Sequence, residues 1–68
     1  MSKTVKLTAK IEALITKRDA INTRIQFMHN TNKHRLMVKG PLAYVLTDFN
    51  TEIEHLEEVY EELIQLSN

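Results

Sequence analysis

Large apolar side chains recur along this chain in alternating steps of four and three. Leu7, Ile11, Leu14, Ile21, Ile25 and Met28 follow that rule in the first half, with Arg18 in the one vacancy. Leu42, Leu46, Phe49, Ile53, Leu56, Tyr60 and Leu63 follow it in the second half without a gap. Such steps lay one stripe along each of two α-helices, whereas a strand would alternate by two. The pattern predicts an all-α chain: one domain over residues 1–68, with helix one over about 4–30, a tip loop over about 31–40 and helix two over about 41–66.

Gly40 and Pro41 are the only glycine and proline. They predict the start of helix two, with Gly40 as N-cap and Pro41 at the first helical position, where a missing N–H costs nothing. Helix one is expected to fray over His29 to Asn32, because asparagine competes with helix by bonding its own backbone. Folding the chain into an antiparallel, coiled-coil-like hairpin pairs Met28 with Leu42, Ile21 with Phe49, Leu14 with Leu56 and Leu7 with Leu63. In each pair the residue numbers total 70, which centres the turn on Arg35. Leu36, Met37 and Val38 would then close over the end of the seam as a lid, leaving Lys33, His34, Arg35 and Lys39 in water. Arg18, opposite Ile53, would reach outward to Glu52 or Glu57, since an unpaired charge in the seam is costly.

Further series lie off this seam. Val45, Val59 and Leu66 broaden the stripe of helix two toward the three-in-seven face of a bundle helix. Ala9, Ala13, Thr16, Ala20, Thr23 and Phe27 form a small-residue series on the opposite face of helix one. A lone hairpin cannot cover both, so the expected assembly is a homodimeric four-helix bundle. Small size points the same way, because a chain of 68 residues without cysteine has no disulfide or thiolate-metal staple. The lack of cysteine and of any long apolar run fits a soluble, cytoplasmic protein with no membrane partner.

Charge divides the chain. All nine Lys and Arg lie in residues 1–39 against only Glu12 and Asp19, a net of +7, and residues 40–68 hold seven acids and no Lys or Arg, a net of −7. Lys3, Lys10, Lys17 and Arg24 recur every seven residues as a ridge beside the seam, where the pairing above gives only Lys17 an acid, Glu52. Lys10, Lys17 and Arg24, extended by Lys33, Arg35 and Lys39 at the tip, are candidate phosphate contacts. Exposed Phe27, Ile64 and Glu58 are candidate contacts for a protein.

Catalytic chemistry finds little support. Glu52 and His55 have the Glu-x-x-His spacing of di-iron bundle helices, but this alignment turns Glu52 to the edge and His55 outward. No nucleophile–His–acid arrangement or glycine-rich phosphate loop occurs. The expectation is a non-enzymatic interaction module or regulator without cofactor or metal, of the kind small phage or mobile-element reading frames encode. Its partners would be a second copy and another protein, and the alternative is an RNA- or DNA-binding hairpin dimer using the basic face of helix one.

Overall fold

A computed structural model describes residues 3–67. It consists of two long helices, α1 (Lys3–Met37) and α2 (Leu46–Ser67), packed against each other as an all-α hairpin. The hairpin is a rod with Cα extents of 56 × 17 × 12 Å and a radius of gyration of 16.3 Å. A compact chain of this length would have a radius near 11 Å by the usual scaling. Leu14, Ile21 and Val59 form the core, flanked by Ile25, Leu56, Leu63 and Leu66, and Met28 is buried nearer the tip.

Both inner helix boundaries differ from the expected ones. Helix α1 does not fray at His29 to Asn32 but continues for two more turns to Met37. The asparagines have other partners: Gln26 Nε2 donates to Asn30 Oδ1 (3.2 Å), and the Asn32 amide is taken up across the hairpin by Tyr44. An asparagine whose side chain is engaged elsewhere no longer competes for its own backbone.

The Gly-Pro pair stops α1 rather than starting α2. Gly40 N–H donates to Arg35 O (2.8 Å) and Lys39 N–H to Leu36 O (3.2 Å), the two bonds of a Schellman C-cap, with Lys39 in the left-handed region at φ 57°. Pro41 follows as a residue that cannot extend the helix. Helix α2 begins five residues later: Val45 N–H donates to Asp48 Oδ2 (2.9 Å), and Val45 O accepts from the N–H groups of Asp48 and Phe49. Asp48 thus supplies the return half of a capping box and places its charge at the positive end of the helix dipole.

This cap yields a paired test. Lysine at a left-handed position is strained by its Cβ, whereas Gly40 has no positive φ and a Cβ added there would meet neighbours only at 3.7–3.8 Å. Lys39→Gly should therefore stabilise the chain by up to about 1 kcal/mol. Gly40→Ala should be neutral or stabilising by about 0.4–1 kcal/mol. Thermal unfolding followed by circular dichroism checks both, and a large loss from Gly40→Ala would restore glycine's expected special role.

The helices also pair in a different register. Arg24 Nη1 donates to Glu52 Oε1 at 3.3 Å, and Asn32 bonds Tyr44; the residue numbers of both pairs total 76. In the expected alignment Glu52 faced Lys17, so the observed partner lies one heptad nearer the tip. Leu14 now stands level with Leu63 and Ile21 with Leu56. Leu7, expected against Leu63, lies beyond the last described turn of α2 and is exposed.

Helix α2 is turned about its axis by one position as well. Val59 is 1% exposed and Glu52 8%, while the expected seam residues Ile53 and Tyr60 are 43% and 44% exposed. The inward stripe is therefore Phe49, Glu52, Leu56, Val59, Leu63 and Leu66. Arg18 does not reach Glu52 or Glu57: its Nε and Nη2 both donate to Oδ1 of the adjacent Asp19, at 3.1 and 2.9 Å. It lies half-buried between Leu14 and Ile21 in the α1 stripe.

Candidate interaction surfaces

Lys10, Lys17 and Arg24 occupy one face of α1 and are exposed, but they are not equivalent. Arg24 is neutralised by Glu52, whose side chain is far more buried than its own. A carboxylate this sheltered requires a counter-charge, and that demand fixes Arg24 in the hairpin. Lys10 and Lys17 are left along the shaft. Lys33, Arg35 and Lys39 belong to the tip, and 23 residues of helix separate Lys10 from Lys33, about 35 Å. The six expected cationic contacts therefore form two separate groups rather than one continuous site.

The groups expected to meet a protein are also dispersed. Phe27 is exposed on α1 beside an open groove of about 420 Å³ whose wall includes Arg24, Met28, Tyr44 and Glu52. Ile64 and Glu58 are exposed on α2, about 18 and 9 Å along the helix from Glu52 in the wall of that groove. Leu46, Ile53, Tyr60 and Ile64 form a second apolar stripe on α2 beside its buried one, all exposed. On α1 the series Ala9, Ala13, Thr16, Ala20, Thr23 and Phe27 is exposed along its length.

The tip departs most from expectation. Leu36, Met37 and Val38 do not close over the seam; Leu36 is 66% and Met37 76% exposed, and Leu42, Val45 and Leu46 are exposed with them. The loop beneath them is nevertheless held firmly. Asn32 Nδ2 donates to Tyr44 O (2.7 Å) while Tyr44 N–H donates to Asn32 Oδ1 (2.9 Å), so one amide side chain satisfies both backbone groups of a loop residue. Nothing in the sequence singles out this clamp, because a helical asparagine facing a loop twelve residues away has no local signature.

His55 is exposed whereas Glu52 is buried, and no three His, Asp or Glu side chains among the described residues are placed to share a metal ion. Nor is any helix among those residues long and apolar enough to cross a membrane. Compared with protein-family models, curated proteins and solved structures, the chain finds no match.

Proposed function

We propose that the chain is a non-enzymatic protein–protein interaction module, acting in the cytoplasm as a homodimeric four-helix bundle of hairpins that presents its free surface to another protein. The observation that carries this reading is surplus surface. The chain exposes 5568 Å² for a mass of 7.9 kDa, whereas a compact monomer of that mass exposes about 4,400 Å². The excess, roughly 1,100 Å², exceeds the ~800 Å² that each partner contributes to a standard interface.

The exposed stripes and the charges suit a second copy. Leu46, Ile53, Tyr60 and Ile64 adjoin the buried stripe of α2, the two-sided pattern of a helix with two neighbours. Helix α1 carries eight Lys and Arg against two acids, and α2 carries seven acids and no Lys or Arg. Setting α1 of one hairpin beside α2 of another places opposite charges together and disfavours like-with-like packing.

Sedimentation equilibrium should give a dimer, with an unfolding midpoint that rises with protein concentration, since assembly is linked to folding by mass action. Affinity capture from the native host should retain a protein partner after nuclease treatment. A concentration-independent monomer would overturn the bundle. Loss of every partner on nuclease treatment, with binding that falls steeply with salt, would replace the module by a nucleic-acid binder using Lys10 and Lys17.

A further inference from the structure

We infer that the hairpin tip is a preformed docking groove for an acidic segment of a partner protein that carries large apolar anchors. This names the partner chemistry of the interaction module and so rests on that reading. Among the described residues twelve large hydrophobic side chains are exposed, and five of them, Leu36, Met37, Val38, Leu42 and Val45, lie in the tip ahead of α2. Scattered exposed apolar residues need no explanation, but Leu36 and Leu42 line one groove at the end of the rod, and apolar side chains brought together in this way mark a contact surface.

The surface is concave. Leu36, Leu42 and Phe49 form the apolar part of a groove of about 400 Å³, with His29, Asn32 and Lys33 along its edge. A groove receives an inserted side chain, as in helix-in-groove recognition, whereas a lipid surface is met by a convex apolar wedge. Phe49 in the groove and Tyr44 beside it are only partly exposed, which suits an anchor pocket better than a stacking platform for nucleobases.

Charge selects the occupant. The sequence has no acid between Asp19 and Asp48. The ion pairs among the described residues are Arg18–Asp19 and Arg24–Glu52, so Lys33, Arg35 and Lys39 keep their charges available around the tip. A second tip would repel it, while a segment bearing carboxylates beside its apolar anchors would be attracted. Preorganisation favours binding further: the C-cap of α1, the Asn32–Tyr44 clamp and the Asp48 cap hold both sides of the loop before any partner arrives.

The test uses the full chain and fluorescence anisotropy with dye-labelled peptides of about 18 residues, with leucine at the i, i+4 and i+7 positions, four glutamates flanking them and alanine elsewhere to favour helix. A matched peptide has lysine in place of glutamate. The glutamate peptide should bind at least about tenfold more tightly than the lysine peptide. Leu36→Ser with Leu42→Ser should weaken it by at least about tenfold, and Val5→Ser, half-exposed at the opposite end of the rod, should not. Lys33→Glu with Lys39→Glu should invert the preference toward the lysine peptide, an outcome that misfolding cannot produce. Equal binding of both peptides, or no inversion, overturns the assignment. So does tight binding to phosphatidylserine-containing vesicles or single-stranded RNA in place of the peptide, or assembly into open-ended oligomers with α2 of another copy on the tip. If peptide binding fails while nuclease-resistant protein capture persists, only the tip assignment falls; if capture also fails, the module reading falls with it.

Discussion

A chain carrying Lys10→Cys and Leu66→Cys should close an intrachain disulfide on oxidation and then be about 4 kcal/mol more stable than its own reduced form, the entropy of a loop of more than fifty residues removed from the unfolded state. The expectation follows from the register. Glu52 bonds Arg24, and stepping two heptads toward the open end of the hairpin brings position 10 level with position 66. Lys3→Cys with Leu66→Cys, the pair favoured when facing residue numbers total about 70, should not cross-link within one chain. The native sequence has no cysteine, so no background thiol confuses the result. Non-reducing gel mobility and denaturant unfolding of each variant, with and without reductant, read it out. Efficient closure of the second pair and not the first would show that the hairpin is paired one heptad away from the contacts described above.

That one-heptad difference shows what the sequence can and cannot specify. The helical character of both segments is legible because apolar steps of four and three have only one regular solution. The register is not, because a heptad pattern slid by seven residues superimposes on itself and still sets apolar residues opposite one another everywhere but at the ends, where Leu7 loses its partner. Only the position of the turn breaks the degeneracy, and the turn is signalled ambiguously. Gly40-Pro41 has the composition of a helix start and of a helix stop, and the stop prevails because Arg35 and Leu36 carbonyls take the N–H groups of Gly40 and Lys39. The start of α2 rests instead on Asp48, which reaches back three residues to an unremarkable valine.

The candidate surfaces were legible to the extent that charge alone specified them. Lys33, Arg35 and Lys39 lie at the tip as the sequence implies, and Phe27, Ile64 and Glu58 are exposed. Arg24 could not be separated from Lys10 and Lys17 by spacing, since all share one seven-residue series; the buried carboxylate of Glu52 distinguishes it. The exposed apolar tip was hidden for a related reason. Leu36, Met37 and Val38 are ordinary lid residues if α1 ends near 30, and they become surface once α1 runs on past them.

Val59→Asp should abolish the helical circular dichroism signal at every protein concentration tested. Two stripes on α2 share Phe49, Leu56 and Leu63 and differ in whether Glu52 and Val59 or Ile53 and Tyr60 complete them. The structure selects the first pair, with Arg24 supplying the counter-charge that Glu52 needs and Val59 sealed within the cluster of Leu14 and Ile21. A carboxylate at position 59 would be buried without a partner at a cost of several kcal/mol. That is comparable to the whole stability of a domain this small, which offers about 3–5 kcal/mol at most. A tenfold rise in concentration contributes only about 1.4 kcal/mol to a dimer, so practicable concentrations should not reverse a loss of this size. Tyr60→Asp changes the outer stripe instead, so it should reduce the concentration dependence of the unfolding midpoint and leave helix recoverable at high concentration by mass action. If Tyr60→Asp removed helix at all concentrations while Val59→Asp left it intact, α2 would be turned by one position, with Ile53 and Tyr60 facing α1 and Glu52 in water.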